Sequence, residues 1–302
     1  MLTRRRRTGP EWPATTRIGR PAPVRNTIVR DPGALTVTWV GHTTFLIQIS
    51  GINLLTDPIW SERASPLSFA GPKRLVPAAM DFSDLPDIHA TMVSHDHYDH
   101  LDDRTVRRLI DRFPRMQWIV PLGVAPFLKK RRAVNVAEMD WWEQRDLGSF
   151  LVACTPAQHF SGRLPWNRNS TLWCGWTVSA GPWRIFFAGD TGLHTEFREI
   201  AGRFGPFDVA ILPIGAYEPR WFMQPVHMNP ADAVMAFEQI VATAPDDRCI
   251  MIASHWGTFI LTDEPPGEPP ILTRQVWART RLNLGRLSIL SHGETLDIGH
   301  VR

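Results

Sequence analysis

The sequence has little tyrosine and little cysteine, two and three residues in 302. The three cysteines, Cys154, Cys174 and Cys249, are odd in number, far apart and set in apolar runs. That pattern excludes a disulfide framework and a thiolate zinc site, and it reads as reduced core residues. No run of eighteen apolar residues occurs, so no transmembrane helix is expected. The basic start, Met1 to Arg7, is not followed by the apolar stretch of a secretory signal. The expected location is the cytoplasm, with peripheral contact at a membrane left open. A charge of one sign is also missing: 33 basic residues face 30 acidic ones. The small excess is local. Residues 1–30 hold eight arginines against Glu11, a local charge of +7, which leaves −4 for the rest of the +3 chain. A basic, Pro-rich arm over residues 1–34 therefore precedes a mildly acidic domain over 35–302. Such an arm reads as a solvated tail, and nucleic-acid binding is not inferred from it.

What is present is a dense cluster, His95-Asp96-His97-Tyr98-Asp99-His100. It follows the apolar run Ala90 to Val93 and precedes a helix expected over Asp103 to Phe113, where Val106, Leu109, Ile110 and Phe113 share one face. Six adjacent polar residues at the end of a buried strand need partners, because each unpaired buried group costs free energy. A pair of metal ions answers that need. The H-x-H-x-D-H spacing feeds two sites, since His95 and His97 point to one side of an extended chain and Asp99 and His100 sit where it turns. Imidazole with carboxylate suits zinc, iron or manganese over calcium or magnesium, and zinc is the first expectation.

Further ligands are expected just after other strands. The pattern predicts strands at 35–40, 44–49, 52–56, 118–120, 150–154, 172–180, 184–188, 208–212, 249–253, 286–290 and 295–298. Helices are expected near 230–242, with Asn229 as cap and Pro230 at the first turn, and near 273–284. Three post-strand residues qualify as ligands: His159, Asp190 after Gly189, and His255. The hairpins Phe45–Asp57 and Trp176–Asp190 echo each other, each with glycine at the turn and aspartate at the end. The echo implies two β-rich halves face to face, covered by helices, with the ligand loops along one edge.

The cluster, the distant His159, the Gly189-Asp190-Thr191 turn and the late His255 resemble the metallo-β-lactamase superfamily. Within it, Trp39 to Thr44, Leu55 to Ile59, Gly71 to Arg74, Phe186 to Gly192, Pro213 to Met223 and His255 to Phe259 are similar to the phospholipase D group that hydrolyses N-acylphosphatidylethanolamine. The resemblance covers residues 35 to 300. It implies an α/β (α+β) fold, a four-layer αβ/βα sandwich of two mixed sheets with helices outside. It implies two divalent metal ions: one on His95, His97 and His159, the other on Asp99, His100 and His255, with Asp190 bridging. Two metals ~3.5–4 Å apart share a hydroxide that attacks a phosphodiester, so Asp190 and Asp99 are placed in the catalytic set. His227 matches a histidine near the substrate phosphate, or else is a loop histidine beside a helix start. Asp57 orients a ligand imidazole or caps a turn. His42 lines the site or fills a turn. Tyr217 and Trp221 are expected at the substrate, and Trp166, Trp173, Phe222 and Trp256 line an apolar groove or pack the core. Asp96 is expected to support a neighbouring backbone or ligand and not to bind metal, Tyr98 to cover the site, and His194 and His292 to be surface or structural residues. The implied partners are a lipid phosphodiester, a membrane surface touched loosely, and a second copy in a homodimer. Two other readings remain at this stage: a lactonase or amidase using the same metals, and a non-catalytic metal-binding protein.

Overall fold

The computed structural model describes residues 33–243 and 248–300. The arm expected over residues 1–34 lies almost wholly outside them. β1 (Ala34–Gly41), β2 (Thr44–Ile49) and β3 (Ile52–Thr56) form a meander. Their β-branched and aromatic residues favour the pleated form. Ser50 and Gly51 both have positive φ, 48° and 80°, the two-residue turn whose twist matches a hairpin. β4 (Ala90–Met92), β5 (Gln117–Pro121) and β6 (Val136–Met139) extend the sheet in parallel after β3. α1 (Asp103–Arg112) and α2 (Ala125–Lys129) lie in this half. Asp102 starts α1 by accepting the Thr105 amide at 3.2 Å, an N-cap bond.

The second half contains β7 (Gln144–Asp146), β8 (Leu151–Thr155), β9 (Gly175–Ala180), β10 (Trp183–Phe187), α3 (Phe197–Phe204), β11 (Val209–Pro213) and α4 (Arg220–Met223). It continues through α5 (Pro230–Val241), β12 (Ile250–Ser254), α6 (Glu268–Trp277) and β13 (Leu287–Ser288). β14 (Thr295–His300) returns to pair with β1. The sheet orders are β14-β1-β2-β3-β4-β5-β6 and β13-β12-β11-β10-β9-β8-β7.

Three apolar clusters give the layers. Leu35, Val37, Trp39, Phe45 and Ile47 of the first sheet meet Val152, Trp176, Val178, Ile185 and Ile211 of the second. Val106 and Leu109 of α1 pack with Leu46, Leu55 and Trp118 on the outer face of the first sheet. Phe197 of α3, Phe237 of α5 and Trp277 of α6 pack with Phe186, Ala210 and Met251 on the outer face of the second. The α/β (α+β) sandwich read from the sequence is the observed fold, with a buried face on both sides of each sheet. The Trp176 indole also donates to the Val93 carbonyl at 2.9 Å, tying the sheets together beside the cluster.

Several element expectations need correction. α6 runs over Glu268–Trp277 and not 273–284, because Pro269 and Pro270 sit in its first turn. β9 begins at Gly175, since Leu172 and Cys174 donate their amides to Leu122 and Ser94 across the sheets. β6, β7 and α3 were not anticipated. The first two are short edge strands with polar residues, and α3 has eight residues. Among the described residues, no helix is long and apolar enough to cross a membrane.

Candidate metal centre

The loops that leave the C-terminal ends of β1, β3, β4, β8, β10, β11 and β12 bring His42, Asp57, His95 to His100, His159, Asp190, Ala216 and His255 to one edge of the sandwich. The backbone is unusual there. His42, Asp57, Ala216 and His255 hold positive φ of 57°, 33°, 63° and 58°, a region that costs a non-glycine residue about 1–3 kcal/mol and concentrates at functional sites. Gly189 is required before Asp190: a Cβ there would lie 2.6 Å from the Ser94 Cβ and 2.9 Å from the Cys174 carbonyl.

Two groups of donors share the edge. In the first, His97 Nδ1 lies 2.7 Å from His95 Nε2 and 3.3 Å from His159 Nε2. In the second, Asp99 Oδ2 lies 3.0 Å from His42 Nε2, 3.3 Å from His100 Nε2 and 3.6 Å from His255 Nε2. Asp190 stands between them. Its Oδ2 is 3.1 Å from the Nε2 atoms of both His100 and His255, 3.8 Å from that of His159 and 4.0 Å from that of His95. The fold thus brings together all seven residues read as ligands.

Electrostatics follow from burial and from this mixture of charges. Burial opposes ionisation of Asp190, but His100 and His255 outweigh it and hold the carboxyl well below its usual range. Asp99 is held low in the same way by His100. Burial also depresses imidazolium, yet Asp190, Asp99 and Asp57 push His100 well above its usual value, and Asp190 takes His255 up to about 9. His95 and His159 are held well below, by burial and then by neighbouring imidazoles. Burial and His255 bring His42 down to about 3. His227 falls to about 4, chiefly by burial.

These residues fit a divalent metal. Asp190 Oδ1, His100 Nε2 and His255 Nε2 are buried with no hydrogen-bond partner, which is costly unless another charge completes them. The donors are imidazole and carboxylate, the set that suits zinc and its first-row neighbours.

Supporting residues hold the ligands from behind. Asp57 Oδ2 lies 2.7 Å from His100 Nδ1. Ser94 donates its amide to Asp57 Oδ1 at 2.6 Å and its hydroxyl to Oδ2 at 2.7 Å. Asp96 turns from the cluster and accepts the Gly162 amide at 2.7 Å. Arg163 donates to the Asp96 and Leu101 carbonyls, and the Tyr98 hydroxyl donates back to the Arg163 carbonyl at 2.8 Å. His227 joins the edge, its ring centroid 4.9 Å from that of His159 and 5.3 Å from that of His255. Trp221 lies 82% exposed on α4.

Tyr217, expected at the substrate, is not brought there. It is buried, and its hydroxyl donates to Glu268 at 2.8 Å. His292 is buried and stacks on Trp39 at 4.1 Å, and His194 lies 2.7 Å from Glu196, both away from the ligands. Reading the sequence missed Ser94, Arg163 and Glu264. The last accepts the amides of Ala216 and Glu218 at 2.6 and 3.1 Å and so shapes the loop that packs on His255. A lone polar residue in a loop carries no periodic signal. For Glu264, only the flanking Pro265-Pro266 hints at a fixed turn.

Residues 52–256 match the family model described as the β-lactamase superfamily domain. The chain belongs to the metallo-β-lactamase superfamily. Among curated superfamily relatives, the N-acyl-phosphatidylethanolamine-hydrolyzing phospholipase D 1 of Caenorhabditis elegans is 41% identical over 250 residues, 78% of this chain and 68% of that one. The mitochondrial N-acyl-phosphatidylethanolamine-hydrolyzing phospholipase D of Saccharomyces cerevisiae is 32% identical over 77% of this chain and 49% of its own. The match therefore spans about half to two thirds of these relatives. The solved structure of Igni18, a metallo hydrolase from Ignicoccus hospitalis, superposes with a TM-score of 0.62 at 19% identity, over 87% of this chain and 98% of that one. The superfamily fold is shared with it, and the chain is a metal-dependent hydrolase of this superfamily, similar to phospholipase D of the N-acylphosphatidylethanolamine type.

Proposed function

We propose that this chain is a two-metal phosphodiesterase acting in the manner of phospholipase D on an N-acyl phospholipid or a related lipid phosphodiester. The observation that carries the reading is Asp190, whose Oδ2 stands within 4.0 Å of ring nitrogens from both donor groups. His95, His97 and His159 would hold one ion and Asp99, His100 and His255 the other, with Asp190 shared. Zinc fits these donors first, and iron and manganese fit them as well. Bound there, the ions supply Lewis acidity that ionises water near neutral pH and offsets charge on a phosphoryl oxygen.

The remaining tasks fall to the chain itself. Asp99 and Asp190 keep negative charge among the imidazoles and set the spacing of the two groups. His227, buried with Nδ1 unpartnered, is placed to bond a phosphoryl oxygen beside His159 and His255. The rim supports a lipid substrate. Trp221 is 82% exposed, Phe222 62%, and Trp166 80%. Trp221 and Phe222 stand on α4 and Trp166 on the loop after β8, and exposed aromatic rings of this kind suit the edge of a bilayer. The relatives named above support the same substrate class.

Metal analysis of the purified protein and a substrate panel test this reading. Two metal ions per chain are expected, with cleavage of N-acylphosphatidylethanolamine vesicles between phosphorus and the leaving alcohol, and slower cleavage of simple aryl phosphodiesters. Hydrolysis of lactones or β-lactams alone would replace the phosphodiesterase reading with an acyl hydrolase. Bound metal with no turnover of any substrate in the panel would leave a metal-binding protein.

A further inference from the structure

Charge is unevenly spread over the chain. Residues 103–132 hold nine basic residues against Asp103 and Asp111, a local charge of +7. The arm of residues 1–30 also carries +7, which leaves −11 for the rest of the +3 chain. The second basic segment is therefore a property of one face and not of the whole protein. It comprises α1, α2 and the Lys130-Arg131-Arg132 turn, on the outer side of the first sheet.

Contacts join α1 and α2 into one surface. Arg131 pairs with Asp103 at the start of α1 and donates to the Phe127 carbonyl of α2 at 2.7 Å. Asp103 also takes Arg107 at 3.2 Å, so this carboxylate is already paired twice. Asp102 is buried in the cap of α1, and Asp111 lies at the opposite end of the helix. Arg104, Lys129, Lys130 and Arg132 are exposed, and none makes a side-chain hydrogen bond or ion pair among the described residues. Their neighbours are apolar. Val134, just past the turn, is 78% exposed, and Leu122, just before α2, is 41% exposed. The loop carrying the exposed Leu164 and Trp166 adjoins α2, since Arg163 Cζ lies 4.7 Å from the centre of the Phe127 ring. That loop also touches the donor cluster, because the Arg163 carbonyl accepts the Tyr98 hydroxyl at 2.8 Å.

We propose that the α1–α2 face is a docking surface for an anionic phospholipid membrane. An exposed cation in water names no partner by itself. Cations set among exposed apolar side chains do, because a bilayer interface offers negative charge to the first and acyl chains to the second. A duplex phosphate backbone would reward only the cations. The inference deepens the lipid reading given above and rests on it for one point of chemistry. Acylation removes the ammonium charge of a phosphatidylethanolamine, so a bilayer that holds the proposed N-acyl substrate is itself anionic. Docking through Arg104, Lys129, Lys130 and Arg132 would bring the Trp166 loop, and the metal edge beside it, to that bilayer.

Vesicle flotation of the full chain is the test. One set of vesicles is phosphatidylcholine alone and the other is phosphatidylcholine with an equal part of phosphatidylglycerol, neither holding N-acyl phospholipid. Wild type should bind the anionic vesicles about tenfold or more tightly than the neutral ones, and added salt should remove the difference. Lys129→Ala, Lys130→Ala and Arg132→Ala together should weaken anionic binding about 10-fold to 100-fold, with far-UV circular dichroism unchanged. Arg279→Ala with Arg281→Ala removes exposed charge from another face and should bind as wild type. Equal affinity for both vesicles, unchanged binding in the triple variant, or an equal loss in the control overturns the inference. So does tight binding of duplex DNA without vesicle binding, which would assign the face to nucleic acid. The vesicles hold no substrate, so the two readings fail separately. Anionic binding as expected, without cleavage of N-acylphosphatidylethanolamine in the substrate panel, overturns the phosphodiesterase reading and leaves the docking surface standing.

Discussion

Asp57 stands directly behind His100, its Oδ2 2.7 Å from the imidazole Nδ1, and both side chains are fully buried. Ser94 fixes the carboxylate with two further bonds, so the ring turns Nε2 toward Asp190 and Asp99. Asp57→Asn keeps the shape and loses the charge that orients the ring. Metal affinity is expected to fall about 10-fold to 100-fold, measured by chelator competition, with activity recovering at high metal concentration. An unaltered affinity would reduce Asp57 to a turn residue.

Asp190→Ala removes the carboxylate shared by the two donor groups. The expected outcome is a protein with fewer than two metal ions per chain and turnover lower by ~10³-fold or more, several kcal/mol of lost stabilisation. His255→Ala should behave alike. Elemental analysis and circular dichroism on the same samples decide it: two ions retained in both variants would overturn the ligand assignment.

Glu264→Gln tests the loop that carries Ala216. The carboxylate accepts two backbone amides, and weaker acceptance should cost about 1–3 kcal/mol. Thermal denaturation should show a midpoint several degrees lower, with metal content little changed.

Burial, and then the Arg74 guanidinium, bring His292 down from 6.5 to about 4. A depressed histidine is neutral in the fold and takes a proton on unfolding. Its contribution is present in full above pH 6.5 and is lost as pH falls from 6.5 to about 4, by at most ~1.4 kcal/mol per pH unit. Denaturant melts of wild type and His292→Gln across that window should show a shallower acid slope in the variant. Parallel slopes would remove His292 from the acid response.

Trp221→Ala and Phe222→Ala should spare cleavage of a small soluble phosphodiester and weaken cleavage of vesicle substrate about tenfold, since exposed rings of this size mainly add apolar contact with lipid. A vesicle flotation assay reads the binding separately. Equal losses on both substrates would point to a role inside the site and not at a surface.

Much of this was legible along the chain because the signal is local. β2 and β3 were read to the residue, since alternating β-branched residues and a two-residue turn leave little freedom. α5 was read from Asn229 and Pro230, and its cap is formed as expected, with Asn229 and Asp232 bonding reciprocally. β6, β7 and α3 were not legible, because short edge elements carry too few periodic residues to stand out from loops.

The same division runs through the site. Sequence alone determined the donor types, the His95 to His100 cluster and the rule that further ligands follow strands, because metal chemistry demands those side chains and chain turns demand those positions. The echo of two hairpins, each ending in aspartate, was visible too. What it meant was not. Only the packing of the two sheets decided that Asp190 stands among four imidazoles while Asp57, its counterpart, stands behind one of them. Only packing turned Tyr217 away to Glu268 and set His42 against Asp99. These are contacts between residues dozens of positions apart, made by the burial of Trp39, Trp176 and their neighbours. Burial is non-directional along the chain, so it leaves no local pattern to read.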